Sequence, residues 1–239
     1  MDTGRVVLVT GSAGSIGSAL VDAFVANGDE VVASDRDTGS LWRRNARVAV
    51  QADITRERDC AALADVVRAE FGHLDVLVNC AGWYPATPFQ AMTGEHWRAV
   101  IDVNLTGTAM VTAAALPLIA DRGWGRIVNI GSASVFAGVA EQTHYVAAKA
   151  GVVGLTRSLA REVGHLGITV NVVAPGLTIT PAVLATYPAE LLEAQRRARA
   201  LARDQQPSDV VGPVLFLASD AAGFITGQTL TVDGGRNMA

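Results

Sequence analysis

The sequence predicts an α/β fold, a doubly wound parallel sheet of about seven strands with helices on both faces. Two observations predict it. Short β-rich runs alternate with longer segments at helical spacing along all 239 residues. The short runs are continuously apolar, as in strands buried on both faces of a parallel sheet. We find no linker, repeat or low-complexity stretch, so we predict a single domain over residues 1–239.

The predicted strands are short, and helical segments separate them. The strands are Val6–Thr10, Val31–Ser34, Arg47–Gln51, Val76–Asn79, Arg126–Ile130 and Ile168–Val172. In one intervening helix, the apolar residues follow each other at steps of three, four and four, which places them on one face: Cys60, Leu63, Val67 and Phe71. Each connection between neighbouring parallel strands is expected to be right-handed.

Composition excludes several classes of partner. Half of the residues are hydrophobic, and the formal net charge is -4, which disfavours nucleic acid and anionic membranes. Neither cysteine nor histidine spacing fits a metal site, so no metal is predicted. Two cysteines without a pairing pattern favour a reducing compartment. We see no secretory leader and no apolar run of roughly 18 residues. These features predict a cytoplasmic protein.

The turn after the first strand predicts a Rossmann-type dinucleotide site. Glycines there permit a tight turn and let the backbone approach a pyrophosphate. The helix that follows offers unpaired N–H groups and a partial positive charge to the phosphates. The strand–turn–helix context makes this glycine cluster more specific than the glycines alone. Its residues are Thr10, Gly11, Ser12, Ala13, Gly14, Ser15, Ile16 and Gly17.

Asp35 closes the second strand, 18 residues beyond Gly17. A carboxylate at that position accepts hydrogen bonds from the ribose hydroxyls of an adenosine and repels a 2′-phosphate. The neighbouring Arg36 is suited to the opposite choice, because it could pair with a 2′-phosphate. We favour NAD over NADP, since the carboxylate stands at the tip of the strand.

Taken together, the motifs resemble those of the short-chain dehydrogenase/reductase family, in its compact single-domain branch. The resemblance covers essentially the whole chain. It rests on the glycine turn, Asp53-Ile54, Asn79-Cys80-Ala81-Gly82, Asn104, Ser132, Tyr145-Val-Ala-Ala-Lys149, Pro175-Gly176 and Val232-Asp-Gly-Gly235. Three positions depart from the usual pattern: Ser15 replaces a glycine, Cys80 an asparagine and Thr178 an aliphatic residue. The departures in the first turn put individual phosphate contacts in doubt.

Tyr145 and Lys149 are the expected centre of the chemistry. They are four residues apart and share a helix face. A free phenol has a pKa near 10, and a neighbouring ammonium would lower it toward neutrality. Seen alone, such a pair is more typical of an ordinary helix surface. The resemblance implies that Ser132 holds the substrate oxygen and that Asn104 extends a proton relay from Lys149.

The resemblance also implies the cofactor contacts. The residues expected to bind it are Gly11, Ser12, Ser15, Ile16, Gly17, Asp35, Arg36, Asp53, Ile54, Asn79, Ala81, Gly82, Tyr145, Lys149, Pro175, Gly176, Thr178 and Thr180. A homotetramer is expected on the same ground.

The substrate is expected to be a secondary alcohol or ketone. Several loops resemble those of bacterial dehydrogenases of aryl secondary alcohols, among them 83–89, 123–127 and 224–228. Candidate pocket residues, for which plain packing is an equal alternative, are Trp83, Tyr84, Ser134, Phe136, Leu184 and Tyr187. Residues 180–203 are either a surface excursion or a cover over the site; we favour the cover, since ligands bind at the carboxyl ends of such strands.

Two other functions stay open. The first is a 3-oxoacyl-thioester reductase, which would share the fold and the tetrad but use NADPH and a basic surface; Asp35 and the net charge disfavour it. The second is a catalytically silent nucleotide-sensing protein, which would typically have lost Tyr145 or Lys149.

Overall fold

Seven parallel strands form one sheet in the computed structural model, which describes residues 4–37 and 45–238. Their order across the sheet is β3-β2-β1-β4-β5-β6-β7. The predicted fold class, a single-domain Rossmann-type sheet, is thereby confirmed. The strands are β1 (Val6–Thr10), β2 (Glu30–Asp35), β3 (Val48–Gln51), β4 (Val76–Asn79), β5 (Gly125–Ile130), β6 (Ile168–Pro175) and β7 (Thr229–Val232).

Helices connect the strands. They are α1 (Ser15–Ala26), α2 (Glu57–Phe71), α3 (Gly94–Ile101), α4 (Gly107–Ala120), α5 (Ser134–Ala137), α6 (Thr143–Val163), α7 (Pro181–Thr186), α8 (Ala189–Arg197) and α9 (Ser208–Leu217). A π-helical turn, Asp102–Thr106, joins α3 to α4. Short 3₁₀ turns cover Phe89–Ala91, Gly164–Leu166 and Asp220–Ala222.

The core has two layers, one on each face of the sheet. Leu8 of β1 points to the layer covered by α2 and α4, whereas its neighbours Val7 and Val9 point to the layer covered by α1 and α9. Successive strand residues alternate between faces, and here both faces are buried. This double burial explains why the strands read as continuous apolar runs rather than as alternating ones.

The order of strands reverses direction beside β1. The chain passes from β1 to β2 and β3 on one side, and then crosses to β4 on the other side. The carboxyl ends of β1 and β4 lie next to each other, with Thr10 paired to Asn79. Such a topological switch point opens a crevice at which ligands bind in α/β sheets.

One helical stretch is more apolar than the search for uninterrupted apolar runs in the sequence indicated. The helical stretch Gly94–Ala120 is long and apolar enough to cross a membrane, by length and composition alone. Charged residues at its start hid this from a search for uninterrupted apolar runs. The core helix of a globular protein passes the same test, and α4 packs against α2, α6, β4 and β5 in this structure. Its packing is therefore that of a core helix.

Candidate active site

The turn between β1 and α1 is shaped by two glycines. Gly11 adopts a positive φ of 66°, and a Cβ at this position would lie 2.5 Å from Cα of Ala81. A Cβ on Gly17 would lie 2.1 Å from the carbonyl oxygen of Gly11. Both positions therefore exclude any side chain. The replacement of the usual glycine by Ser15 leaves the turn intact, because α1 begins at Ser15.

The start of α1 has the chemistry of a phosphate site. Its N-cap residue, Gly14, makes no side-chain hydrogen bond to the helix. The first N–H groups of a helix have no partner within it and carry a partial positive charge. A turn whose two flanking glycines, Gly11 and Gly14, carry no side chain in front of such a helix start fits the pyrophosphate of a dinucleotide.

Asp35 faces this turn from the end of β2. Its Oδ2 accepts a hydrogen bond from the N–H of Ala13 at 3.0 Å, and its Oδ1 accepts one from the N–H of Asp37 at 3.1 Å. These contacts fix the carboxylate at the mouth of the crevice. A carboxylate has about four lone-pair sites, so it keeps acceptors for further donors such as ribose hydroxyls.

A cavity of about 660 Å³ extends from the glycine turn past the ends of β4, β5 and β6. This volume lies in the ordinary range for small-molecule sites, roughly 300–1,000 Å³. The predicted residues that line it are Gly11, Ser15, Ile16, Gly17, Asp35, Arg36, Asp53, Ile54, Ala81, Gly82, Trp83, Tyr84, Ser132, Ser134, Tyr145, Lys149, Pro175, Gly176, Thr178, Thr180 and Tyr187.

Ser12 and Asn79 were expected to contact the cofactor, but neither residue lines the cavity. The Ser12 hydroxyl donates to the carbonyl of Ser34 and is fully buried. The Asn79 amide donates to Thr112 Oγ1 and Asn129 Oδ1 inside the fold. Both side chains brace neighbouring elements, since a buried polar group needs such partners.

Asn104 also lies behind the cavity wall. It sits in the π-helical turn between α3 and α4, a local form that often occurs at functional sites. Its amide donates to the carbonyls of Trp83 and Val100, and its Oδ1 accepts the N–H of Trp83. The side chain therefore anchors the loop after β4. A Cβ on Gly82 would lie 3.1 Å from Asn104 Oδ1 and 3.7 Å from Lys149 Nζ, so Gly82 lies between these two residues.

Phe136 and Leu184 were expected in the substrate pocket, but neither lines the cavity. Phe136 lies on α5 and is 46% exposed, and Leu184 on α7 is 60% exposed. Their helices present other side chains inward: Ala137 from α5 and Val183 from α7 line the cavity instead.

Ser132 is held in place by Ser134. The Ser132 hydroxyl oxygen accepts hydrogen bonds from the Ser134 N–H at 3.2 Å and from the Ser134 hydroxyl at 2.8 Å. With two donors on its oxygen, the Ser132 hydroxyl keeps its own proton for another acceptor in the cavity. Ser134, expected as a substrate contact, lines the cavity and also positions Ser132.

Tyr145 does not have the lowered pKa that the sequence led us to expect. Burial is the largest cause and raises the pKa of Tyr145 to about 12, while a hydrogen bond with Ser132 acts in the opposite direction. Lys149 Nζ lies 5.9 Å from the centroid of the Tyr145 ring, at the outer limit of a cation–π contact. The phenol is therefore protonated throughout the neutral range and is poised as a proton donor.

Lys149 is buried at the base of the cavity. Its Nζ donates to the carbonyl of Ile130 at 2.7 Å. Burial lowers the pKa of Lys149 to about 8, against a smaller opposing effect of Cys80. The structure thus holds a titratable ammonium beside the phenol.

This pKa predicts a pH dependence of stability. The folded-state pKa of about 8 lies below the unfolded value of 10.5, so the contribution of Lys149 is lost as the pH falls toward 8. Relative to Lys149→Met, the wild-type free energy of unfolding should rise with pH between 8 and 10.5, by at most about 1.4 kcal/mol per pH unit. Urea unfolding of both proteins across this range measures the difference, and a flat difference would show that Lys149 titrates normally.

Several cavity residues carried no motif in the sequence. Gln142 is buried, and its amide donates to Tyr187 Oη and to the carbonyl of Tyr84. The cavity is also lined by Gln195, Arg236 and Asn237. Position alone could have pointed to two of them, because Gln142 directly precedes the helix of Tyr145 and Arg236 directly follows the closing glycine pair.

His144 is a core histidine. It is fully buried, its Nδ1 accepts the N–H of Tyr145, and burial lowers its pKa. No group of three or more metal-ligating side chains occurs within residues 4–37 and 45–238.

Comparison with known proteins finds relatives along the whole chain. A family model described as enoyl-(acyl carrier protein) reductase matches residues 11–237. The chain is 40% identical over 248 residues to 3-oxoacyl-[acyl-carrier-protein] reductase of Synechocystis sp., covering 99% of this chain and 98% of that protein. It is 41% identical over 246 residues to cis-4-hydroxycyclohexanecarboxylate dehydrogenase of Sinomonas cyclohexanicum, covering 97% and 96%.

A third relative carries an aryl group in the name of its substrate. The chain is 38% identical over 242 residues to (2S)-[(R)-hydroxy(phenyl)methyl]succinyl-CoA dehydrogenase subunit BbsD of Thauera aromatica, covering 98% and 97%. Because the family model and these relatives each extend over nearly the whole sequence, the chain belongs to the short-chain dehydrogenase/reductase family of oxidoreductases.

Proposed function

We propose that the protein is an NAD(H)-dependent oxidoreductase that interconverts a secondary alcohol and a ketone. The observation that carries the proposal is the meeting of Ser132, Tyr145 and Lys149 in the cavity that begins at the glycine turn. The glycine turn and the residues along the cavity would hold a nicotinamide dinucleotide, which would supply the hydride chemistry, and the protein supplies placement and proton transfer.

In this proposal, each side chain has one task at the substrate oxygen. Ser132 donates a hydrogen bond to the carbonyl oxygen and orients it, while keeping its own proton. Tyr145, protonated at neutral pH, donates its proton to the same oxygen as negative charge develops there. Lys149 follows Tyr145 by one turn of α6 and supplies positive charge near the phenol. Asn104 acts at a distance, since its hydrogen bonds hold the loop of Trp83.

The charges at the mouth of the cavity support NAD as the cofactor. Asp35 is hydrogen-bonded to the glycine turn at the end of β2, and a carboxylate at the end of this strand typically accepts the ribose hydroxyls of an NAD adenosine. The competing cation, Arg36, follows Asp35 in the chain and also lines the cavity, so it is the alternative determinant of the cofactor.

Asp35→Ala is expected to relax this choice. Removing the carboxylate takes away hydrogen bonds to the ribose and the repulsion of a 2′-phosphate, so the ratio of kcat/KM for NADH to that for NADPH should fall by about 10- to 100-fold. Steady-state kinetics with both cofactors measure it, with Arg36→Ala as the companion. If the wild type already prefers NADPH and Arg36→Ala abolishes that preference, Arg36 determines the cofactor and the proposal of NAD is wrong.

The walls of the cavity beyond Tyr145 support an aromatic or ring-bearing substrate. Trp83 and Tyr84 line it after β4, and the Tyr84 ring lies 5.9 Å from the Tyr145 ring, centroid to centroid. Aromatic rings favour such tilted contacts with another ring. The Sinomonas and Thauera relatives are both named for alcohols that carry a ring.

Residues 180–203 serve as the cover of this pocket in our proposal. Thr180 caps α7 by accepting the N–H of Val183, and the chain then turns through Pro188 into α8. Both helices turn side chains to the cavity: Val183, Tyr187, Leu191 and Gln195. A segment that lies across the carboxyl ends of the strands is well placed to exclude water from the reaction.

A 3-oxoacyl-thioester reductase that uses NADPH is the second candidate, and the Synechocystis relative favours it. Asp35 and the net charge of -4 remain the arguments against it. A silent nucleotide sensor is the third, and the presence of Tyr145 and Lys149 together argues against that. By resemblance to the family, we propose a homotetramer in the cytoplasm.

A substrate panel tests the proposal. Purified protein is assayed at 340 nm with NADH and NADPH against aryl ketones, cyclic ketones and acetoacetyl-CoA. We expect the highest kcat/KM with NADH and a ring-bearing ketone. Preference for NADPH with the thioester would establish the second candidate, and bound NADH without turnover of any substrate would establish the third.

A further inference from the structure

The part of the cavity wall formed by α8 and by the chain after β7 carries a guanidinium group that the proposed reaction does not use. Arg236 lines the cavity together with Leu191 and Gln195 of α8. Leu191 and Gln195 are four residues apart and so lie on one face of that helix. The Arg236 side chain hydrogen-bonds to Gln195 Oε1. Arg236 thus lies beside the proposed cover, against α8.

The tail that carries Arg236 is fixed by its own hydrogen bonds. Asp233 is buried, and its carboxylate accepts the N–H groups of Gly235, Arg236 and Asn237. The amide of Asn237 also donates to it. Backbone N–H groups and the Asn237 amide thereby occupy the acceptor sites of the Asp233 carboxylate. The same contacts hold the backbone of Arg236 in place.

Nearby carboxylates are engaged with other arginines. Glu193 binds Arg196 and Arg197, and Asp204 also binds Arg196. Over residues 4–37 and 45–238, Arg236 forms no ion pair, and the neutral amide of Gln195 is the acceptor of its one side-chain hydrogen bond. A guanidinium has five donors in a planar fork, so most of its donors are left for a ligand.

From this arrangement we infer that Arg236 binds an anionic oxygen group of the substrate, a carboxylate or a phosphate, at the end of the molecule remote from the reacting carbon. A cation without a carboxylate partner in a partly apolar pocket favours an anion, and the guanidinium fork suits the two oxygens of a carboxylate. Gln195 orients the fork. This inference rests on the proposed function, because it assigns one end of the substrate of that same site.

Arg236→Gln tests the inference through a matched pair of substrates. 4-Oxocyclohexanecarboxylate and its methyl ester differ in the charge and in one methyl group. In Arg236→Gln, the ratio of kcat/KM for the acid to that for the ester should fall by about 10- to 100-fold. Arg197→Gln is the control: it removes an exposed cation of α8 that is paired with Glu193, and it should keep the wild-type ratio. Acetoacetyl-CoA as a third substrate distinguishes a phosphate from a carboxylate.

A binding measurement separates this inference from the proposed reaction. Calorimetric titration of unreactive cyclohexanecarboxylate into the protein with NADH requires no turnover. Weaker binding by about 10- to 100-fold in Arg236→Gln, and not in Arg197→Gln, supports the inference even if the wild type reduces none of the ketones. Equal acid-to-ester and CoA-to-ester ratios in wild type and Arg236→Gln would overturn it and leave the proposed function standing. A rise only in the KM for NADH would also overturn it, because Arg236 would then serve the cofactor.

Discussion

Tyr145→Phe is expected to lower kcat by about 10²- to 10⁴-fold, the usual contribution of a positioned general acid. The variant removes one hydroxyl group and keeps the ring that packs beside Tyr84. NADH affinity should stay close to that of the wild type, because the glycine turn and Asp35 are unchanged. Stopped-flow kinetics for turnover and fluorescence titration for NADH measure the two effects separately.

Ser134→Ala is the matched control for this prediction. It removes a hydroxyl group from the same cavity, 2.8 Å from Ser132, without touching the phenol. We expect a smaller loss than in Tyr145→Phe, because Ser132 keeps its own hydroxyl. Turnover in Tyr145→Phe at the wild-type rate would show that another group donates the proton.

Gly17→Ala is expected to damage both cofactor binding and stability. The added methyl would lie 2.1 Å from the carbonyl oxygen of Gly11 and 2.9 Å from Cα of Ser12. These are backbone atoms, so the whole turn must shift. We expect the free energy of unfolding to fall by about 1–3 kcal/mol, as in other overpacked sites. The affinity for NADH should fall as well, because the phosphate-facing N–H groups move with the turn.

Gly14→Ala provides the control in the same turn. Its added methyl would lie 3.3 Å from the Gly11 carbonyl oxygen, and Gly14 has a negative φ that any residue can adopt. Chemical unfolding and isothermal titration of NADH should show a clearly smaller effect than for Gly17→Ala. Equal effects of the two substitutions would mean that crowding against Gly11 does not shape the phosphate site.

The fold could be predicted from the sequence because both faces of the sheet are buried. Val7, Leu8 and Val9 point alternately to the two core layers, and such residues read as one apolar run. The run marks the strand, and the spacing between runs marks the crossover helices. Exact ends were harder to predict: β6 continues to Pro175 because Ala174 and Pro175 still pair with β7 after the pairing with β5 has ended at Val173, and a single sequence does not show this pairing.

Sequence motifs gave the positions of site residues but not the directions of their side chains. Asn79 and Ser12 belong to motifs at the edge of the crevice, yet both side chains turn inward to buried partners. Arg236 and Gln142 line the cavity without belonging to any of the motifs that identified the site. The pKa of Tyr145 was missed for a related reason: spacing reveals the nearby Lys149, whereas the opposing effect of burial depends on the complete fold.

Transfer of deuterium tests the central claim most directly. The protein is incubated with NADH that is deuterated at C4 and with a ring-bearing ketone, and the product is analysed by mass spectrometry. We predict an alcohol with deuterium on the carbinol carbon, and a strongly reduced yield from Tyr145→Phe. Bound but unconsumed NADH with every ketone tested would contradict the account and identify the protein as a nucleotide sensor on an enzyme fold.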